Sequence, residues 1–229
     1  MRARELHPWD LTPREASALQ TRLEKRIREE PLAWDRLRRV AGCDCALDRD
    51  RIVASVVVLD AKTLEVLEVS DARAAARFPY VPGLLSFREV PALLEAFRGI
   101  RRRPDALLCD GQGRAHPRRF GLACHLGLLL NLPSVGVAKS RLLGDAEDPG
   151  PKRGAATAIR DRREIVGRLL RTRDHVRPLY ISVGHRITLE DAVTLVFRMG
   201  AGYRLPEPTR LADQRVRGLA RSGSSTMER

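Results

Sequence analysis

The sequence predicts an α/β domain built on one mixed sheet, an antiparallel three-strand meander continued by parallel strands and flanked by helices. Three observations carry that expectation. Three β-rich segments are joined by connections of three or four residues, too short for anything but antiparallel neighbours. Two wholly apolar runs, Ala106–Cys109 and Ser134–Ala138, bracket a helical stretch, and strands that read apolar throughout are covered on both faces. The 229 residues are 43% hydrophobic and 31% charged, ordinary for one large globular domain and too apolar for a disordered chain.

Thr12-Pro13-Arg14-Glu15 opens the first helix as N-cap, first-turn proline and capping-box glutamate, with Ala16, Leu19, Leu23 and Ile27 on one face. The meander comprises Arg39–Ala46, Arg51–Asp60 and Glu65–Ser70, joined by Leu47-Asp48-Arg49-Asp50 and Ala61-Lys62-Thr63. Phe78–Gly83, with two prolines and a glycine, interrupts regular structure before a helix over Val90–Gly99 and the basic turn Arg101–Arg103. Ala106–Cys109 is a short buried strand, Gly111-Gln112-Gly113 a loop, and Pro117–Leu130 an apolar helix leading to the strand Ser134–Ala138. Such a strand–helix–strand connection makes its two strands parallel. Arg141–Gly154 reads as loop, Glu164–Arg171 as a strand, Leu179–Val183 as a short buried strand, and Thr188-Leu189-Glu190-Asp191 caps a last helix through Met199. No repeat or internal linker divides the chain, so residues 1–220 are expected as one domain. Arg221–Arg229 has the composition of a frayed, disordered tail.

Lys and Arg number 42 against 29 Asp and Glu, a net charge of +13 and a pI near 10.8, which points to a polyanionic partner, nucleic acid above all. Only four of the 42 are lysines, and an arginine excess of that kind can also reflect codon usage. Cys43, Cys45, Cys109 and Cys124 show no metal-ligand spacing and form no disulfide framework, so they read as buried, reduced thiols rather than a zinc site. No segment approaches the ~18 consecutive apolar residues of a membrane span, and the first ten residues lack a signal-like apolar run. A cytoplasmic monomer without membrane contact is expected.

Several residues stand out chemically. Asp44 lies inside the otherwise apolar strand Val40–Ala46, where a carboxylate either faces solvent or meets something cationic. Asp48 and Asp50 flank a turn, as solvated residues do. Asp110 ends the strand Ala106–Cys109, ahead of Gly111-Gln112-Gly113 and close to His116, and open α/β sheets collect ligands at the carboxyl ends of parallel strands. Glu89 allows two placements. Ser86-Phe87-Arg88-Glu89 matches a capping box, whereas a helix starting at Pro91 leaves Glu89 outside it and free to bind. Carboxylates from separate elements, with no His or Cys at ligand spacing, suit Mg²⁺, and a metal-bearing carboxylate cluster in a basic chain suits hydrolysis of a phosphodiester. Phe78-Pro79-Tyr80-Val81-Pro82-Gly83 holds Tyr80 on a stiff loop, a form that fits a wedge entering a base stack.

At these residues the sequence resembles the endonuclease V family. The blocks that carry the resemblance are Ala41–Asp44, Phe78–Glu89, Cys109–Arg118, Gly136–Ser140, Ser182–His185 and Arg204–Asp213, long and collinear across Val40–Asp213. The resemblance implies an RNase H-like fold and a repair endonuclease for DNA containing deaminated bases. It further implies Mg²⁺-dependent nicking, with Mn²⁺ able to substitute, at the second phosphodiester 3′ to deoxyinosine, leaving a 3′-hydroxyl and a 5′-phosphate. Asp44, Glu89 and Asp110 match the family's metal-binding carboxylates, Lys139 a lysine near the scissile phosphate, and Asp213 a final acidic-or-His position near the metals. Tyr80, between Pro79 and Pro82, matches the strand-separating wedge. Gly83, Leu85, Gly111, Gly113, His116, Gly121 and Leu142 fall in segments that form or border the flipped-base pocket. The chemistry of the base agrees, since hypoxanthine carries a C6 carbonyl and a protonated N1, and backbone groups at glycines can approach its edge closely. Two competing readings are an inosine-directed ribonuclease and a binding module without chemistry; retention of all three carboxylates speaks against the second.

Overall fold

The β-rich segments form a single sheet. The computed structural model describes residues 1–225, with strands β1 (Arg39–Asp48), β2 (Arg51–Asp60), β3 (Val66–Ala75), β4 (Ala106–Cys109), β5 (Ser134–Ala138), β6 (Ala156–Asp161), β7 (Glu164–Leu170) and β8 (Leu179–His185). Their spatial order is β3-β2-β1-β4-β5-β8-β7-β6. The β1–β2 and β2–β3 pairs are antiparallel and β1–β4 and β4–β5 parallel, which is the mixed, RNase H-like arrangement expected; β8, β7 and β6 extend it antiparallel. Helices α1 (Pro13–Glu24), α2 (Leu85–Gly99), α3 (Leu122–Leu130), α4 (Leu189–Arg198) and α5 (Glu207–Ser225) flank it. Among the described residues no helix is long and apolar enough to cross a membrane.

Strand alternation assigns the two faces. Ala41, Cys43, Leu107 and Cys109 point toward α2 and α3 and pack with Leu93, Phe97, Leu126 and Leu129. Val40, Leu108, Val135 and Val137 point the other way, onto Ala192, Leu195 and Val196 of α4. The N-terminal turn of α5 crosses β1 at Gly42, where any Cβ would lie 2.0 Å from the Pro208 carbonyl carbon, so only glycine admits the helix so close. Helix α1 begins with the expected capping box and buries Leu19, Gln20 and Leu23; its apolar side packs with Phe120 and Cys124, with Phe78 of the proline-rich loop, and with Leu84 and Phe87 at the start of α2.

Several elements differ from expectation. Helix α2 starts at Leu85, so Glu89 lies within it; Leu84 is the N-cap, and the Ser86–Glu89 capping box does not form. Pro91 sits inside this helix and withholds a backbone donor from the Phe87 carbonyl. Burial of Phe87, Val90, Leu93 and Phe97, each side chain worth about 1.5–3 kcal/mol, outweighs a proline cost of about 3 kcal/mol. Helix α3 starts at Leu122 rather than Pro117, because Arg119 takes a left-handed conformation (φ 52°) and its guanidinium is tied to Asp161 at 2.6 Å and Glu164 at 2.8 Å. Strand β3 runs to Ala75, five residues beyond the expected end at Ser70, and β6 lies within a stretch that carried no strand signal. Helix α5 follows the helix expected to be last and continues through Ser225, into the segment read as a frayed tail; residues 226–229 lie outside the described residues.

Candidate active site

Parallel pairing brings the first two carboxylates together. Cys43 of β1 is registered with Cys109 of β4, and the Asp110 amide donates to the Cys43 carbonyl at 3.1 Å. Asp44 and Asp110, one residue further along each strand, therefore emerge side by side on the α5 face. Asp213, one turn beyond Thr209 on α5, completes the set: one carboxylate oxygen from each of Asp44, Asp110 and Asp213 lies within 4.8 Å of the others. Glu89 comes from α2, on the opposite face, and stands outside this trio, close enough to Asp110 to feel its charge.

The electrostatics of the group are those of carboxylates short of cations. Burial, then the charge of Asp110, pushes Asp44 up to about 8; the same two causes push Glu89 up to about 8. Burial raises Asp110 as well, against the pull of Lys139. The Lys139 ammonium bridges Asp110 and Asp213, with 2.6 Å to Asp213 Oδ1, and Arg217 Nη2 lies 2.9 Å from the same oxygen. Burial opposes the Lys139 charge, but the surrounding carboxylates overcome it and raise its pKa. The residues fit a hard divalent cation. The donor set is all carboxylate oxygen, without histidine or thiolate, and the clustered charge is only partly neutralised by one lysine and one arginine. Mg²⁺ and Mn²⁺ both take such ligands.

A cavity of about 410 Å³ opens beside the trio, lined by Asp110 and Lys139 and by Tyr80, Pro82, Gly83, Leu85, Gly111, His116, Gly121 and Leu142 among others. Tyr80 is 72% exposed at its rim, and Leu85 and Leu142 are also exposed. Three donors meet on one acceptor here. The Gly83 carbonyl accepts from Gln20 Nε2 at 3.0 Å, His116 Nε2 at 2.9 Å and Arg118 Nη2 at 2.8 Å. Gly83 has φ 78°, a left-handed conformation that glycine adopts without strain and that turns its carbonyl inward. His116 Nδ1 accepts from the Arg118 amide at 3.1 Å, so Nε2 carries the ring proton, and burial pushes the imidazole down to about 4. His116 thus lines the cavity as a neutral ring whose nitrogens are both engaged.

Two expected residues lie elsewhere. Pro79 lines a separate cleft with Arg77 and Phe78, and Gly113 is beneath the cavity, its amide donating to Ser182 Oγ at 2.8 Å. Other residues emerge only from the fold. Gln20, 1% exposed, also donates to the Phe120 carbonyl at 2.9 Å and accepts from Arg118 Nε at 2.5 Å; its one sequence signal was a polar residue on the apolar stripe of α1. Gln112 lines the cavity, donates to the Ser140 carbonyl at 3.0 Å, and keeps a buried Oε1 with no partner among the described residues. Arg217 had no signal beyond its charge.

Residues 21–214 match the family described as Endonuclease V. Among curated relatives, endonuclease V of Roseiflexus sp. (strain RS-1) is 50% identical over 206 residues, 90% of this chain and 92% of that protein. That of Methanothrix thermoacetophila is 48% identical over 212 residues, 93% of this chain and 94% of that protein. Among solved structures, endonuclease V of Streptomyces avermitilis aligns with a TM-score of 0.90 at 43% identity, covering 98% of this chain and 100% of that one. The catalytic domain of human endonuclease V aligns at 0.85 with 37% identity, covering 92% and 96%. Endonuclease V of Ciona intestinalis, solved with a 24mer DNA containing an inosine followed by a ribo-adenosine, aligns at 0.81 with 25% identity, covering 91% and 98%. With its sheet order, its carboxylates clustered from β1, the end of β4 and α5, and these matches along most of its length, the chain belongs to the endonuclease V family, and it is a nuclease.

Proposed function

We propose that this protein is a divalent-cation-dependent DNA repair endonuclease that takes hypoxanthine into the cavity beside Tyr80. It cuts the second phosphodiester 3′ to that base, leaving a 3′-hydroxyl and a 5′-phosphate. The observation that carries the reading is continuity: Asp110 and Lys139 belong both to the acidic centre and to the wall of the cavity. A base held in the cavity therefore brings its own backbone to the carboxylates.

Asp44, Asp110 and Asp213 would hold the cation, with Glu89 positioned behind Asp110. When bound, the cation supplies a Lewis acid for the scissile phosphate and lowers the pKa of water. Lys139 presents an ammonium at the mouth of the cavity, where it can balance the phosphate charge. Tyr80 fills the gap that the extracted base leaves in the stack, and its flanking prolines hold the loop extended. Gly83, Gly111 and Gly121 let backbone groups approach the base edge. Hypoxanthine differs from adenine by donating at N1, and a wall that offers an acceptor there gains from hypoxanthine what adenine cannot give. Extraction costs less for a mispaired base, which adds selectivity.

A second reading has one observation behind it. The Ciona intestinalis relative was solved with a ribonucleotide directly after the inosine, so an inosine-directed ribonuclease is the alternative. The 2′-hydroxyl separates the two. Matched DNA and RNA oligonucleotides carrying one inosine, incubated with and without Mg²⁺ and mapped for the cut, test both. DNA cleaved only with the cation, one nucleotide beyond the inosine's 3′ neighbouring bond, is the expected result. Cleavage confined to RNA would transfer the activity to the second reading, and no cleavage of either would refute both.

A further inference from the structure

Outside the cavity, on the segment that leads into α5, stands a second exposed aromatic. The cavity wall includes Asp110 and Lys139 but neither Asp44 nor Asp213, so the part of the acidic centre that α5 supplies lies outside the cavity. There Tyr203 is 51% exposed. The Arg210 guanidinium covers one face of its ring, 4.3 Å from the centroid. Arg210 is itself held by Glu207 through two contacts, Nε to Oε2 at 2.7 Å and Nη2 to Oε1 at 2.5 Å, so the plate behind the ring is fixed.

The mounting of Tyr203 ties it to the centre from two sides. Before it, Gly202 turns the chain with φ 80°; after it, Arg204 donates to the Lys139 carbonyl at 2.9 Å and to the Pro178 carbonyl at 3.1 Å. Its own carbonyl accepts from Thr172 Oγ1 at 2.5 Å. On α5, Arg210 lies one turn before Asp213 and Arg217 one turn after it. Arg177, whose carbonyl accepts from Arg204 Nε at 2.8 Å, is exposed, and so is the side chain of Arg217. An exposed ring backed by a fixed guanidinium, with exposed cations on the segments that mount it, is the arrangement by which proteins stack a base of a single strand while following its phosphates.

We propose that Tyr203, backed by Arg210, stacks a base of the strand that leaves the cleavage centre on its 3′ side, with Arg177 and Arg217 near the phosphates. The 3′ assignment rests on the cleavage position proposed above. Tyr80 and Tyr203 then grip the strand on opposite sides of the bond to be cut.

The test compares single-stranded DNA oligonucleotides with one inosine that either end just after the scissile bond or carry a long 3′ arm. Binding is measured by fluorescence anisotropy in EDTA, for wild type, Tyr203→Ala and Tyr203→Phe. Wild type should bind the long arm more tightly; Tyr203→Ala should lose about tenfold on the long arm and nothing on the short one, while Tyr203→Phe retains the wild-type pattern. Equal loss on both substrates would make Tyr203 a support of the α5 turn, and no loss on either would make it an ordinary surface residue; both overturn the platform. A long arm placed 5′ instead of 3′ serves as the directional control, and dependence on that arm alone also overturns it. Because binding is read without the cation, failure of the proposed cleavage site would appear in the cut map and not in these affinities.

Discussion

Asp44, inside β1, and Asp110, just past the end of β4, each stand one residue beyond a registered pair of neighbouring parallel strands, so the backbone ladder sets their separation. Tyr80 stands on a loop without strand pairing, and the hydrogen bonds of side chains from α1 and from the segment before α3 hold that loop by the Gly83 carbonyl. The first region is placed by covalent geometry and sheet register, the second by three side chains meeting on one oxygen. The difference teaches where each is vulnerable. On the function proposed above, changing a carboxylate should leave the ladder intact and remove chemistry, whereas loosening the clamp should leave chemistry intact and blur which base is admitted.

The largest effect expected on this contrast is at the carboxylates. Asp44→Asn and Asp110→Asn should each lower single-turnover cleavage by about three orders of magnitude or more, since a Lewis-acid cation contributes several kcal/mol and each 1.36 kcal/mol is about tenfold. Inosine-DNA binding should persist, because phosphate and cavity contacts supply the affinity. Parallel loss of binding and of the circular dichroism spectrum would make these residues structural and break the contrast.

The same carboxylates make stability depend on pH. Asp44 and Glu89 titrate near 8 in the fold and near 4 when unfolded, so across that window the metal-free folded state holds protons that the unfolded state has released. Stability is full below about pH 4 as far as these two groups are concerned, and is lost as pH rises through 8, by an amount on the order of a few kcal/mol. Thermal midpoints in EDTA should fall from pH 5 to pH 8, and Mg²⁺ should restore them most at pH 8. A midpoint indifferent to both would show that the charges are not confined together.

On the recognition side, Tyr80→Ala should cost about one to two decades of discrimination between inosine and undamaged duplex, from a base–aromatic stack of about 1–3 kcal/mol. Single-stranded inosine substrates, already unstacked, should be affected less. Equal losses on both would assign Tyr80 to loop support instead of the wedge.

The smallest effect is expected at Gln20. Gln20→Leu removes one of three donors to Gly83 and leaves the Phe120 carbonyl unpaired, a cost of about 1–3 kcal/mol in stability. Selectivity for inosine should fall by less than a decade, with cleavage of single-stranded substrate nearly unchanged. If selectivity stays at the wild-type value while the thermal midpoint drops, the clamp is a packing feature and the loop is held by its prolines alone.

Local chemistry was enough to read the meander, the capping box of α1, the buried strands β4 and β5, and Asp110 at a strand end, because turn lengths, alternation and apolar runs act over a few residues. Helix α5 was hidden for a physical reason. Among the described side chains its buried positions are Pro208, Thr209, Ala212, Asp213 and Val216, a helical spacing opened by a proline and interrupted by two polar residues, so no hydrophobic stripe announced it. Glu89 was ambiguous because Pro91 argues locally for a helix start, and only the burial of Phe87 against α1 and of Val90 against the sheet shows that the helix had already begun. Motif blocks named Asp213 and Lys139 without saying that they touch. Their contact, and the meeting of α1 with the proline-rich loop at Gly83, join residues far apart in the chain. Such contacts leave no local periodicity, since only packing of the finished sheet and its helices brings those groups within hydrogen-bonding distance.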